Sequence, residues 1–198
     1  MSNLALAASV VGASGYAGAE VVALLADHPD ITVDSVISRT YSGQPFASLY
    51  PRFSGKVEKK FQSLEYDTVA SSDIVFLAVP HTTSMQIVPE LRKRNKSLKI
   101  VDLAADYRFN SADKFEEVYG VEHNDPDNVA SAAYGLAEYN SDSIKNADLV
   151  ANPGCYATAV LVPLVALAEE NLLDGNVFVD AKSGISGAGR GPAEATTF

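Results

Sequence analysis

The sequence predicts an α/β fold, a Rossmann-type doubly wound parallel sheet followed by the start of an α+β domain. Three observations carry this prediction. Short β-rich apolar runs alternate with helix-like stretches along most of the 198 residues, as repeated βαβ units require. These runs are nearly continuous in apolar side chains, "IVFLAV" at 74–79 among them, which suits a parallel strand covered on both faces. Between the first strand and the first helix lies "GASGYAG" at 12–18, a glycine-spaced turn that lets a strand pass directly into a phosphate-binding helix.

Taken in order, strands are expected at 5–11, 31–38, 74–79, 99–103 and 149–151, with a further one at 177–181. Helices are expected at 16–27, at 83–94 and from 155 to 171. The last should bend at Pro163, whose ring removes a helix donor. Residues 41–61 read as a loop because of Gly43, Pro45, Pro51 and Gly55, and 109–146 as a polar connection without clear periodicity. The implied division is a Rossmann-type domain over 1–151 and the beginning of a second domain over 152–198. The final "GPAEATTF" follows a glycine-rich stretch with no closing helix or strand, so the chain reads as part of a longer protein.

Composition narrows the function. Apolar residues make up 47% of the chain and charged residues 20%, which is ordinary for a soluble globular protein. The net charge is −10 with no long Lys/Arg run, so neither nucleic acid nor a membrane surface is expected as a partner. The first 26 residues contain no Lys or Arg, unlike a secretory signal, and Glu20 with three glycines suits a membrane helix poorly. A single cysteine, Cys155, excludes an internal disulfide and a multi-thiolate metal centre. It fits a reducing compartment, and a cytoplasmic protein without a metal is expected.

The turn's Gly12, Ser14, Gly15, Tyr16, Ala17 and Gly18 are the candidate cradle for a dinucleotide pyrophosphate. The second strand ends in Ser38-Arg39-Thr40, while Asp34 lies mid-strand, too early to reach a ribose. Arginine at that tip favours a 2′-phosphate, so the expected cofactor is NADP(H), held by Ser38 and Arg39. Pro80 and His81 follow a strand at the carboxyl edge, where Pro80 would wall the nicotinamide. His81 reads equally well as structural, and His28 as a surface residue at a helix end.

Cys155 sits in "NPGCY", where a strand ends and an apolar helix begins. A thiol in a first helical turn feels the positive helix end, which raises its thiolate fraction. Free cysteines are commonly buried and inert, yet this one lies at a strand terminus in a chain that also has a dinucleotide cradle. That pairing suggests acyl-enzyme chemistry coupled to hydride transfer. Arg108, just after a strand in "DLAADYRF", and Lys182, Ser183, Ser186 and Arg190 in "DAKSGISGAGRG" suggest an anionic substrate. For both arginines a structural ion pair is the competing reading.

The segments "VVGASGYAGAE", "DLAADYR", "YGLAEYN", "NPGCYATA" and "DAKSGISGAGR" together resemble the N-acetyl-gamma-glutamyl-phosphate reductase family, in order from about residue 8 to 191. That family is similar to aspartate-semialdehyde dehydrogenase in fold and chemistry. The resemblance implies that Cys155 attacks the acyl phosphate of N-acetyl-glutamyl 5-phosphate, and that the thioester takes hydride from NADPH to give the 5-semialdehyde in arginine biosynthesis. It implies cofactor contacts at Ser186 and Gly187, substrate contacts at Arg108, Asn152, Ser183 and Gly184, and a homodimer or homotetramer built through the catalytic domain. The alternatives are a related acyl-phosphate reductase, such as aspartate-semialdehyde dehydrogenase, or a non-catalytic NADP-binding module. Two departures stand out. The family usually has a glycine soon after "PH", where this chain has Thr82 and Thr83. Its catalytic histidine lies in an "HRHxPE"-like segment expected beyond Phe198, and His28, His81 and His123 do not match it. Little turnover is therefore expected of these 198 residues alone.

Overall fold

A computed structural model describes residues 5–191. Strand β1 (Leu6–Val11) passes through the glycine turn into helix α1 (Tyr16–Ala26) and returns as β2 (Ile31–Ile37). An excursion follows, with α2 (Phe46–Leu49), a 3-10 turn at Pro51–Phe53 and the short strand β3 (Phe61–Gln62). Then come α3 (Tyr66–Ala70), β4 (Ile74–Leu77), α4 (Ser84–Arg94) and β5 (Lys99–Asp102). The polar connection holds α5 (Ala112–Tyr119), α6 (Pro126–Ser131), β6 (Ala133–Tyr134) and α7 (Ala137–Asn146). β7 (Leu149–Ala151) leads into α8 (Cys155–Glu169), and a 3-10 turn at Ile185–Ala188 lies near the end.

The strands form one sheet in the order β3-β2-β1-β4-β5-β7-β6, and every neighbouring pair is parallel. The order reverses between β1 and β4, which leaves a crevice at their carboxyl ends. Alternate residues of β1 serve opposite faces. Ala8 and Val10 pack with Val22 of α1 and with Phe46, Phe53 and Phe61, whereas Val11 packs with Leu77, Val88 and Leu91. Burying each Val, Leu or Phe contributes about 1.5–3 kcal/mol, so both faces hold the switch point rigid. Ser9, polar on a buried strand, is satisfied by the hydroxyls of Ser35 (2.5 Å) and Ser72 (2.7 Å).

The two segments expected to lack structure contain short elements. In 41–61, Phe46, Phe53 and Phe61 are buried against the α1 face, so three aromatic anchors order what the Gly and Pro content marks as loop. In 109–146, α5 starts at Ser111, whose hydroxyl accepts the Lys114 amide (3.2 Å), and stops at left-handed Gly120 (φ 66°). The strand expected at 177–181 does not form. Val177, Phe178 and Val179 are 48%, 93% and 54% exposed, and among the described residues no strand lies beside them to satisfy a ladder. The expected bend at Pro163 leaves no break, since Pro163 lies inside the continuous α8. None of α8's side chains is buried although nearly all are apolar. Its middle is tied to α7 by Tyr139, whose hydroxyl donates to the Val162 carbonyl at 2.8 Å.

Candidate active site

The glycine turn is shaped by close backbone approach. Gly12 has φ +83°, and a Cβ there would lie 2.1 Å from the Ala78 carbonyl oxygen. A Cβ on Gly18 would lie 2.3 Å from the Gly12 oxygen. The amides of Gly12 and Ala13 both donate to the Ile37 carbonyl at 3.0 Å, which pins the turn to β2. Gly15 is the N-cap of α1, with no side-chain cap and no acidic residue in the first turn. The helix therefore presents unneutralised N–H groups to a phosphate.

Beside the turn is a cleft of about 570 Å³, lined by Gly12, Ser14, Ser38, Arg39, Thr40 and Pro80 among others. The Ser38 hydroxyl donates to that of Ser14 at 2.8 Å, joining the turn to the tip of β2. Arg39 is exposed at this edge and is in no salt bridge among the described residues. Asp34 is exposed mid-strand and does not line the cleft. Gly15, Tyr16, Ala17 and Gly18 build the helix start without lining it. The residues present fit a dinucleotide: a cradle that side chains would fill, a free helix start and a cation beside two hydroxyls.

The segment after β5 braces the neighbouring strand ends. Asp102 is fully buried; its carboxylate accepts the Ser84 hydroxyl (2.8 Å) and the Ala104 amide (3.0 Å), while its carbonyl accepts the Asn152 amide (2.8 Å). Asp106, also fully buried, accepts the amides of Thr82 (2.7 Å) and Met85 (2.9 Å) and so caps α4 from another segment. Sequence reading missed both carboxylates as anchors, because a cap supplied from 21 residues away leaves no local signature.

Asp106 explains Thr82, which stands where the resemblance expects glycine nearby. Thr82 has φ 66°, a left-handed conformation costly for a β-branched residue. Its amide bond to Asp106 holds it there. Thr82→Gly is expected to raise stability by about 1 kcal/mol, read as a higher urea midpoint at unchanged slope; a lower midpoint would contradict the strain.

Burial raises the Asp102 pKa from 3.8 to about 7, with the Ser84 and Ala104 bonds and Arg108 opposing and Asp106 reinforcing the shift. Folded Asp102 thus holds its proton more tightly than unfolded Asp102. The resulting destabilisation is absent below pH 4, grows as pH rises, and is complete above about pH 7. Asp102→Asn is expected to stabilise the chain by roughly 3 kcal/mol at pH 8 and to flatten the decline between pH 4 and 7. Urea unfolding at pH 5 and pH 8 checks this, and equal effects at both pH values would refute it.

At the thiol, β7 ends at Ala151 and Gly154 becomes the N-cap of α8. Cys155 is the first residue of the helix and is exposed. Gly154 has a φ of −68°, which suits any residue, so no turn requires a glycine here. Its lack of a side chain makes room for Arg108, whose Nη1 would lie 3.1 Å from a Cβ at that position. Arg108 donates from Nε to the Asn152 carbonyl and from Nη2 to the Leu103 carbonyl, both at 2.8 Å. Two of its arms are thus committed to backbone, and Nη1 faces the thiol turn. The Asn152 side chain donates to the Pro153 carbonyl at 3.1 Å. β7 lies two strands from β4 in the sheet, roughly 10 Å at normal strand spacing, so thiol and cleft share one edge.

The histidines lie in other settings. His123 is buried against Tyr107 and Phe115, with its Nε2 unpartnered. His81 is exposed and packs on Tyr119, while His28 is exposed with its Nδ1 accepting the Asp30 amide. Ser183, Gly184, Ser186 and Gly187 are exposed at the 3-10 turn and do not line the cleft. Arg190 leaves that turn and lies over the rings of Tyr41 (5.4 Å) and Tyr50 (5.6 Å).

A switch-point cradle with an exposed thiol opening a helix at the same sheet edge defines a class: dinucleotide-binding α/β proteins that carry a thiol at the cofactor edge. More particularly, the chain belongs to the semialdehyde dehydrogenase family. The family model for the NAD binding domain matches residues 7–147, and that for the dimerisation domain matches 155–198. Curated relatives include the N-acetyl-gamma-glutamyl-phosphate reductase of Halothermothrix orenii, 45% identical over 96% of this chain and 55% of its own length. The Magnetococcus marinus protein of the same name is 43% identical over 98% of this chain and 55% of its own. The chain spans about half the length of the curated relatives it matches. Among solved structures, aspartate semialdehyde dehydrogenase with NADP from Candida albicans superposes with a TM-score of 0.57 at 16% identity, over 85% of this chain and 48% of that one. Aspartate semialdehyde dehydrogenase II from Vibrio cholerae gives 0.59 at 15% identity, over 83% and 47%. These two support the fold. No helix among the described residues is long and apolar enough to cross a membrane.

Proposed function

We propose that the full-length protein carrying this chain reduces N-acetyl-L-glutamyl 5-phosphate with NADPH to N-acetyl-L-glutamate 5-semialdehyde and phosphate, reversibly, in the cytoplasm. The single observation that carries the reading is the exposed Cys155 at the start of α8, on the same sheet edge as the cradle. The relatives' shared name supports the substrate.

In this reading Cys155 Sγ bonds to the acyl carbon while the carbon–oxygen bond to phosphate breaks, and phosphate leaves with the electron pair. NADPH, when bound, would supply the hydride that reduces the thioester; the Cys155 thiolate then departs and the aldehyde is released. Gly12, Ser14, Gly15, Tyr16, Ala17 and Gly18 would hold the pyrophosphate, Ser38 and Arg39 the 2′-phosphate, and Pro80 would wall the nicotinamide. Ser186 and Gly187 add contacts from the loop. Asn152, Ser183 and Gly184 contact substrate, and Arg108 acts there through its free Nη1 while bracing the thiol turn. No proton-transfer role is assigned to His28, His81 or His123. The domain division at 151/152 coincides with the end of β7, and the dimerisation-domain match supports a homodimer or homotetramer.

The test supplies the full-length protein with NADP, phosphate and either N-acetyl-glutamate 5-semialdehyde or aspartate semialdehyde, and follows NADPH absorbance. Turnover of the acetylated substrate alone is expected. Preference for the aspartyl substrate would replace the substrate assignment, and NADPH binding without turnover of either would leave only a nucleotide-binding module.

A further inference from the structure

We infer that Arg190 is a positioning residue: it latches the glycine-rich loop 183–191 onto the cofactor cradle by stacking on Tyr41 and Tyr50. The inference rests on the dinucleotide reading of the cleft and extends it to a part of the chain outside that cleft.

The base of the latch is rigid and belongs to the cradle. The Tyr50 hydroxyl donates to the Ser14 carbonyl at 2.8 Å, and its ring packs at 5.4 Å on Phe46, which is fully buried. The Tyr41 ring lies 5.9 Å from that of Phe61, and its amide points to the Ser38 hydroxyl at 3.4 Å. Both rings are therefore one contact from the Ser14–Ser38 pair that lines the cleft.

The loop itself makes few contacts among the described residues. Every residue from 166 to 191 is exposed. Among the described residues, no hydrogen bond or salt bridge joins 171–189 to the nucleotide-binding part; the loop's backbone bonds, Gly187 to Gly184 and Gly189 to Ser186, are internal. Gly189 has φ 92° and ψ −172°, a conformation reserved for glycine, which turns the chain so that Arg190 reaches back. Arg190 is in no salt bridge among the described residues; its guanidinium faces the two tyrosines, over both rings and beside the Tyr50 hydroxyl. A planar guanidinium stacks on rings where an ammonium makes only a point contact. Arg190 thereby ties the end of the Ser183–Gly187 turn to the two tyrosines beside the cradle, and a dinucleotide held by the cradle should tighten the loop in turn.

The experiment uses the wild-type chain, Arg190→Ala, Arg190→Lys, Tyr41→Leu and the Arg190→Ala/Tyr41→Leu pair. Arg190 is exposed and the side chain of Tyr41 makes no hydrogen bond among the described residues, so folding is retained. Amide exchange of Gly187 and Gly189 is measured without ligand, and NADPH and NADH affinities by fluorescence titration. Arg190→Ala is expected to speed that exchange about five-fold, the size of an exposed cation–π contact, and to weaken NADPH and NADH by the same factor. Lysine should rescue only part of the loss, and the double variant should be no worse than Arg190→Ala. Unchanged exchange in Arg190→Ala, or full additivity in the pair, overturns the latch. Loss confined to NADPH also overturns it, because that marks a direct contact with the 2′-phosphate. If wild type binds neither dinucleotide, the cleft reading fails while the exchange data still decide the latch.

Discussion

Cys155→Ser is expected to lower turnover of the full-length protein on the order of a thousand-fold or more, with NADPH affinity unchanged. The side chain is exposed at the first position of α8, so the near-isosteric exchange should shift stability by no more than about 0.5 kcal/mol. What changes is the nucleophile. A free thiol is a few per cent thiolate at neutral pH and attacks acyl carbons readily, whereas a hydroxyl needs a matched general base to do so. The thiol turn around it is held by the sheet on one side, through Asn152 and Asp102, and by Arg108 on the other. The serine hydroxyl would therefore occupy the same place and still fail. Turnover with each substrate, NADPH titration and mass mapping of iodoacetamide adducts measure the three parts. A serine variant that keeps wild-type turnover removes Cys155 from the mechanism.

The second large effect is steric. Gly12→Ala is expected to cost about 4 kcal/mol or more and to abolish NADPH binding. Its Cβ would sit 2.1 Å from the Ala78 oxygen and 2.7 Å from the Ala78 carbon, both backbone atoms, at φ +83°. Relief requires the loops after β1 and β4 to separate, at the crevice the phosphates would occupy. Gly15→Ala is the informative contrast. Its nearest obstacle is the Gly12 oxygen at 3.4 Å, with no positive φ, so it should change stability by less than about 1 kcal/mol. Thermal unfolding of the two variants separates the cases; equal losses would mean that close approach is not what the turn requires.

The parallel strands were legible because a strand buried on both faces writes a continuous apolar run, as at 74–79. The cradle was legible for the same local reason: its geometry depends on glycines within one turn. What could not be read was non-local. Asp106 caps α4 across a gap in sequence, Ser38 meets Ser14, and Tyr50 reaches back to Ser14; each pair exists only once the sheet has brought distant turns together. Gly154 is a further non-local case, since the structure uses it to admit Arg108 while its φ of −68° needs no glycine. Residues 177–181 carry a strand-like pattern, yet β-propensity reports fitness for a pleated surface and not the presence of a partner.

The unburied α8 has a kinetic meaning. A helix of 15 residues is marginal on its own, and among the described residues α8 adds only half-buried side chains and the Tyr139 bond, so its far end should open more often than the sheet does. Its first turn is different, because Gly154 abuts Arg108 and Asn152 is bonded to β5's last residue. The helix therefore frays from Glu169 inward, and the thiol sits at the end that opens last. Cys155 is thereby anchored to the sheet edge, at the better-held end of α8.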